Sequence, residues 1–482
     1  MAKRSKVIER DAVVIKFSGD SGDGMQLTGT LFSNTSALFG NDISTFPDYP
    51  AEIRAPQGTV GGVSGFQVHI GRKHVNTPGD FADVLVAMNP AAIRANARSL
   101  TKDSTIIYDI DNFTEKSILR AGYQSDPFAE DKLDTLNLIG APITSLVKEA
   151  LKDMDIDPKT VLRTKNMFAL GIVYWLFDSK LKYTEEFIED KFGKKPLIAE
   201  ANSRVLRAGY YYAETIEALT PSYHVSPAPI EKGVYRNING NQATAWGLLA
   251  AAEKAGLKLF IGSYPITPAT GILEELALRK DLGAKSLQAE DEIAGICTAI
   301  GASFTGRLAV TSTSGPGLAL KSEALNLAVM TELPLVVINV QRGGPSTGLP
   351  TKTEQSDLWQ ALYGRNGESP LPVIAAGTPS DCFHFAFQAA KIALEYMTPV
   401  ILLTDSYLAN GSEPWKIPSM KSMPSITVPW AVKTDKEYLP YERDLKNLAR
   451  KWAVPGTPGF EHRIGGLEKT IKGKCLIHPG EP

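Results

Sequence analysis

Cysteine is scarce in this chain. Its 482 residues include three, Cys297, Cys382 and Cys475. They lie far apart and are odd in number, which argues against a disulfide framework. They also fall short of the four thiolates that hold a cubane iron–sulfur cluster, so wiring of that kind is expected mostly in another chain. An excess of charge of either sign is equally absent. Lys and Arg total 51 against 53 Asp and Glu, a net charge of −2, so electrostatics point to neither nucleic acid nor an anionic membrane as partner. No apolar run approaches the length of a membrane span. The basic start Met1-Ala2-Lys3-Arg4-Ser5-Lys6 leads into Val7-Ile8-Glu9-Arg10-Asp11 rather than the apolar core of a signal peptide. The chain reads as cytoplasmic.

What is present is ordinary globular composition, 43% hydrophobic, and a length that suggests about three domains of roughly 150 residues each. Apolar runs at 12–17, 84–88, 105–110 and 136–143 read as strands. Helical patterns fall at 25–39, 165–177, 184–191 and 201–219. Strands alternating with helices predict an α/β domain with a mostly parallel sheet over 10–219. Residues 220–238, punctuated by Pro221, Pro227, Pro229 and Gly233, read as a linker. A second α/β domain, a doubly wound sheet of about six strands, is expected over 239–412. Its strands fall at 257–261, 285–288, 308–311, 335–340, 372–375 and 400–403. Residues 413–482 scatter Pro414, Pro418, Pro424, Pro429, Pro440, Pro455 and Pro458 among basic residues and read as a connector with one helical piece, 441–452.

The loops after the strands of the second domain carry the chemistry. Tyr264-Pro265-Ile266-Thr267-Pro268 follows an apolar strand and precedes a helical pattern. Two prolines in five residues cannot continue a strand ladder, and each restricts the residue before it. The strand therefore ends in a stiff turn at the edge where open α/β sheets bind ligands, with the Thr267 hydroxyl held inside it. An isolated turn of this kind is usually only a turn, but three companions share its edge. Gln288-Ala289-Glu290-Asp291-Glu292 ends a strand and opens a helix of small residues. Three acids at a helix start often serve only the helix dipole, yet the helix that follows is too apolar to be exposed, so one acid is expected to point into an enclosed site. Thr311-Ser312-Thr313-Ser314-Gly315-Pro316-Gly317 precedes a helix expected over 318–330. The fourth loop runs from Gln341 to Lys352. Its Arg342 is suited to pair with a carboxylate through two parallel hydrogen bonds.

In the first domain, Gly19-Asp20-Ser21-Gly22-Asp23-Gly24 links a strand to a helix. Its order is not the dinucleotide order G-x-G-x-x-G, and no acidic residue ends a second strand where a ribose partner belongs. A tight turn with some phosphate or domain contact is the expectation, and a nucleotide-binding dehydrogenase is the disfavoured alternative. Gly22-Asp23-Gly24 is similar to the start of the metal–diphosphate motif of thiamine enzymes. No asparagine pair follows near Ala51-Glu52-Ile53-Arg54 to complete a hard-cation shell, so no metal site is expected in this chain.

Together, Tyr-Pro-Ile-Thr-Pro, Gln-Ala-Glu-Asp-Glu, Thr-Ser-Thr-Ser-Gly-Pro-Gly and Gln-Arg-Gly-Gly-Pro-Ser-Thr-Gly resemble the α subunit of 2-oxoacid:ferredoxin oxidoreductases. Residues 17–24 and 49–54 resemble the family's γ domain fused ahead of it. The resemblance covers about residues 11–470 and is nearest to the 2-oxoglutarate type, with pyruvate or branched-chain 2-oxoacids the alternative substrates. It implies a thiamine diphosphate enzyme that decarboxylates a 2-oxoacid, passes two electrons through iron–sulfur clusters to ferredoxin, and yields an acyl-CoA. This chain would supply the pyrimidine-binding domain. A β subunit would hold the diphosphate, Mg²⁺ and a [4Fe-4S] cluster, and CoA would be co-substrate.

By the same resemblance, Tyr264, Pro265, Ile266, Ser314 and Gly315 line the cofactor. Glu292, or alternatively Glu290, contacts the aminopyrimidine. Thr267 and Arg342 bind the substrate, and Lys352 reaches a distal carboxylate. Chains of this fused type continue past the connector into a further α/β domain, which is missing here. Residues 474–482 look unlike the connector, and their codons can be written as the family's continuation in a shifted frame. A frameshift or broken gene model is therefore expected, with assembly and activity both at stake.

Overall fold

The computed structural model describes residues 7–50, 55–216 and 222–474. The 51–54 segment and the tail 475–482, both considered above, lie outside the described residues, as do linker residues 220 and 221. The chain divides into two compact units, 1–237 with 412–414, and 238–411 with 415–482.

The first unit carries a six-stranded sheet. Its strands are β1 (Ala12–Asp20), β2 (Asp42–Asp48), β3 (Val63–Gly71), β4 (Ala82–Ala87), β5 (Leu100–Asp109) and β6 (Asn137–Ala141), in the order β2-β3-β1-β4-β5-β6. Strands β1, β4, β5 and β6 run parallel. The β2–β3 hairpin, which the sequence reading missed, adds an antiparallel edge. Three helices stand out: α1 (Met25–Leu38), α2 (Lys165–Leu176) and α3 (Pro196–Ile216). They contribute Leu31, Phe32, Phe168, Leu170, Val205 and Leu206 to the core over one face. Helix α2 is buried almost all round, as expected of an all-apolar helix. The stretch read as a linker contains two short strands, Ser222–His224 and Tyr235–Asn239.

The second unit is built on β7 (Leu259–Ser263), β8 (Lys285–Gln288), β9 (Leu308–Thr313), β10 (Leu335–Gln341), β11 (Val373–Ala375) and β12 (Pro399–Asp405). All pairs are parallel, and the order is β8-β7-β9-β10-β12-β11. Every residue of β7, β9, β10 and β12 is buried. That is the signature of a parallel sheet covered on both faces. Side chains alternate as strand geometry demands. Val336, Ile338 and Val340 face α4 (Gly240–Ala255), α5 (Thr270–Ala277) and α10 (Asp381–Tyr396). Leu335 and Val337 face α6 (Glu292–Phe304), α7 (Gly315–Leu320) and α8 (Ser322–Thr331). A further helix, α9 (Leu358–Tyr363), follows the long loop after β10.

Two expectations are corrected. The helix read over 318–330 is two helices, α7 and α8, meeting at Lys321. The connector piece 441–452 is not helical. It contains an isolated bridge between Arg443 and Arg450, and Leu448 has a φ of 60°, a torsion that ends a right-handed helix. Leu445 is 95% exposed while Tyr441 and Trp452 are buried, so the apolar spacing there does not define one buried helical face. Among the described residues, no helix is long and apolar enough to cross a membrane.

Candidate active site

The strand order fixes where a site can form. From β7 the chain moves outward to β8, then crosses back over β7 to β9. This reversal makes a topological switch point, and ligands bind in the crevice outside the carboxyl ends of the strands there. The loops after β8, β7, β9 and β10 therefore sit side by side on four adjacent strands, and they are the four loops singled out above.

After β7, the stiff turn is clamped from both sides. The Ile266 carbonyl oxygen accepts from the Ala269 N–H at 2.7 Å and the Thr270 N–H at 3.1 Å. Asn241 Nδ2 donates to the Pro268 carbonyl at 2.9 Å. Pro265 and Ile266 are half-buried, while Tyr264 and Thr267 are exposed. After β8, the three acids separate by role. Asp291 caps α6, its Oδ1 accepting from the Ala294 N–H at 2.7 Å, which satisfies an orphan helix amide. Glu290 is exposed, and Glu292 is buried at 9% exposure. After β9, Ser314 is fully buried, and its Oγ has no hydrogen-bond partner. A Cβ on Gly317 would lie 2.7 Å from Glu292 Cγ and 2.0 Å from Thr313 Oγ1. The Glu292 side chain thus rests in the space that Gly317 leaves open.

After β10, Arg342 is 6% exposed. Its Nη1 donates to the Thr267 carbonyl oxygen at 2.7 Å and its Nη2 to the Thr347 carbonyl oxygen at 2.9 Å. Nε is buried without a partner. Burial pulls the guanidinium below its ordinary value, and the Glu292 carboxylate pulls it partly back. Lys352 is half-buried, and its backbone closes the loop: its N–H donates to Leu349 O at 3.0 Å, and its carbonyl accepts from Gly343 N at 2.8 Å.

The chain matches two families. One is the pyruvate ferredoxin/flavodoxin oxidoreductase family over residues 14–212. The other is the thiamine diphosphate-binding family of pyruvate flavodoxin/ferredoxin oxidoreductases over residues 250–474. It is 54% identical to the 2-oxoglutarate oxidoreductase subunit KorA of Mycobacterium tuberculosis over 456 residues, covering 95% of this chain and 70% of that one. It is 28% identical to 2-oxoacid:ferredoxin oxidoreductase 1, subunit alpha, of Aeropyrum pernix, covering 86% and 68%. Among solved structures, 2-oxoglutarate:ferredoxin oxidoreductase from Magnetococcus marinus, with 2-oxoglutarate, coenzyme A and succinyl-CoA bound, matches at a TM-score of 0.82 and 32% identity. That match covers 98% of this chain and 76% of that one.

The chain belongs to the 2-oxoglutarate oxidoreductase α-subunit family. Its thiamine diphosphate-binding region spans the whole crevice described above. The residues present fit the ring of that cofactor. A buried carboxylate and an unpartnered buried hydroxyl are what a flat heteroaromatic base with ring nitrogens and an amino group requires, and half-buried Ile266 provides an apolar wall.

Sequence reasoning missed the polar layer beneath the loops. Asn339 Nδ2 donates to Asp357 Oδ2 at 2.9 Å, and the Asp357 N–H donates to Gln341 Oε1 at 2.9 Å. A Cβ on Gly315 would lie 2.8 Å from that same Asp357 oxygen. The available signal was two polar residues, Asn339 and Gln341, in an otherwise apolar strand. Lys321 was also missed. It is fully buried, with Nζ donating to the Glu292 carbonyl oxygen at 2.5 Å. The glycine-rich loop of the first unit is closed by its own acids. The Asp20 N–H donates to Asp23 Oδ2 at 2.8 Å, and Asp20 Oδ1 accepts from Gly58 N at 2.9 Å. The Asp23 carboxylate thus occupies one loop amide that a bound phosphate could use.

Proposed function

We propose that this chain supplies the aminopyrimidine half of a thiamine diphosphate site in a 2-oxoglutarate:ferredoxin oxidoreductase. The enzyme converts 2-oxoglutarate and CoA to an acyl-CoA and CO₂ and reduces ferredoxin. The observation that carries the reading is the buried carboxylate of Glu292 at the switch point of a chain that belongs to this family. When bound, thiamine diphosphate supplies the carbon nucleophile and the electron sink for decarboxylation.

Glu292 holds a proton against the ring nitrogen of the aminopyrimidine. Burial suits it to this task, because a low-dielectric pocket strengthens the hydrogen bond. Glu290, being exposed, is the weaker candidate. Tyr264, Pro265, Ile266, Ser314 and Gly315 form the walls around the ring. The exposed Thr267 hydroxyl faces the substrate's oxo or carboxylate oxygen. Arg342 fixes the turn that carries Thr267 and sets a positive charge toward the substrate carboxylate, while Lys352 serves the distal carboxylate. The diphosphate, Mg²⁺ and a [4Fe-4S] cluster fall to a β subunit. Among the described residues, no group of three or more His, Cys, Asp or Glu side chains is arranged to hold a metal ion. We read the cytoplasm as the place of work, in keeping with the free thiols of Cys297 and Cys382.

The test is a substrate panel. The full chain is assembled with its β subunit, CoA and ferredoxin and offered 2-oxoglutarate, pyruvate and a branched-chain 2-oxoacid. The expected result is a kcat/KM for 2-oxoglutarate at least about tenfold above the others, the discrimination a polar pocket gives. Equal use of all three refutes the substrate assignment. Failure to assemble with any β subunit refutes the function.

A further inference from the structure

Lys321 stands where α7 ends and α8 begins. Its backbone N–H bonds the carbonyls of Gly317 at 3.1 Å and Leu318 at 3.2 Å, closing the first helix. Its own carbonyl accepts from the Leu325 N–H at 2.9 Å, opening the second. A lysine at a helix break normally reaches into water. This one has no exposed surface, and its Nζ meets the Glu292 carbonyl oxygen at 2.5 Å. A buried ammonium is costly unless it is paired and hydrogen-bonded, so the placement calls for an explanation beyond packing. The same short helix touches Glu292 twice: Gly317 leaves room for its side chain, and Lys321, four residues later, grips its backbone.

We propose that Lys321 is a positioning residue for Glu292. By holding the first residue of α6 through its carbonyl oxygen, it fixes the direction in which the Glu292 carboxylate leaves the helix. The proposal rests on the reading of Glu292 as the carboxylate that meets the cofactor ring. The titratable groups facing the ammonium are the carboxylates of Glu292 and Asp291 and the thiol of Cys297, all on or capping α6; Glu323 on α8 acts on that thiol in turn. Burial pulls the ammonium down to about 8, against the attraction of Glu292 and Asp291. Its charge is therefore present at neutral pH and fades on the alkaline side.

Lys321→Met, Lys321→Arg and Glu292→Gln are compared in the full chain. Amide exchange at 291–295 is followed without cofactor, and kcat and KM are followed against pH in the complex with the β subunit. Lys321→Met is expected to raise exchange at the start of α6 about tenfold through local opening. It is also expected to lower kcat by roughly ten- to hundredfold, the scale of a misplaced proton-transfer group, with KM within about twofold. Lys321→Arg restores exchange in part and moves the alkaline limb expected near pH 8 to higher pH, because arginine keeps its charge. A folded Lys321→Met with exchange and kcat within twofold of wild type overturns the proposal. If Lys321→Met does not fold, Lys321→Arg decides: an unmoved alkaline limb overturns the proposal. A fully active Glu292→Gln refutes the reading of Glu292 and the proposal with it. An inactive Glu292→Gln beside an unaffected Lys321→Met refutes only the role of Lys321.

Discussion

The Arg342 guanidinium donates to the carbonyl oxygen of Thr267 at 2.7 Å, joining loops 75 residues apart in sequence. A second bond, to the Thr347 carbonyl, makes the arginine a bridge with one end in each loop. Replacement by lysine is not conservative at such a site, because a single ammonium cannot reproduce the planar fork. Arg342→Lys is expected to raise KM for the 2-oxoacid and to lower stability. Bonds from a charged donor contribute about 1.5–3 kcal/mol each. Steady-state kinetics and thermal melting of the same preparation check both effects. An unchanged KM contradicts the bridging role.

Gly317 leaves open the space in which the Glu292 side chain lies. An added methyl would lie 2.0 Å from Thr313 Oγ1 and 2.7 Å from Glu292 Cγ, so Gly317→Ala must push Glu292 aside. Overpacking of this kind costs about 1–3 kcal/mol, partly offset by alanine's better helix propensity. The expected outcome is a folded protein with kcat reduced by about a hundredfold or more, the scale of a lost proton-transfer group. Ferredoxin reduction measures the first quantity and circular dichroism melting the second.

Burial holds Lys321 at about 8, below its ordinary 10.5. In that window the unfolded chain binds more protons at this site than the folded one, so stability rises with pH there. Below the window the buried charge exerts its full cost, and above the window the cost is gone. Compared with Lys321→Met, the wild type is expected to gain up to about 3 kcal/mol between pH 8 and 10.5. Urea melts of both proteins across that range measure the difference. A flat difference contradicts the buried charge.

In the first unit, helices α2 and α3 approach so closely that glycines face backbone. A Cβ on Gly209 would lie 2.0 Å from the Phe168 carbonyl oxygen, and one on Gly171 would lie 2.2 Å from that of Leu206. Gly209→Ala therefore separates the helices and is expected to lower stability by about 1–3 kcal/mol. Thiamine diphosphate binding, measured by calorimetry, stays within twofold of wild type.

The elements legible in sequence were those whose burial is written into hydrophobicity. The all-apolar strand 335–340 and the proline-bounded turn at 264–268 both stand out without a structure. The β2–β3 hairpin did not. Its strand Asp42–Asp48 mixes Asp, Ser, Thr and Pro among its apolar residues and is nonetheless mostly buried, because the partner strand and not composition decides its fate. The connector failed in the opposite sense. Tyr441, Leu445, Leu448 and Trp452 sit at helical spacing, yet Leu445 and Leu448 face solvent. Within the site, the four loops were visible as interruptions of pattern. Lys321 was not, because a lysine between two helical runs reads as surface, and only the fold turns it toward Glu292.

Glu292 is the group on which the proposed chemistry depends. In the full chain assembled with its β subunit, thiamine diphosphate, CoA and ferredoxin, Glu292→Gln removes the carboxylate while keeping its volume. Ferredoxin reduction with saturating 2-oxoglutarate is predicted to fall by roughly a hundred- to ten-thousandfold, the range for loss of a positioned acid–base group, with the complex still assembled. Turnover within a few-fold of wild type contradicts the assignment.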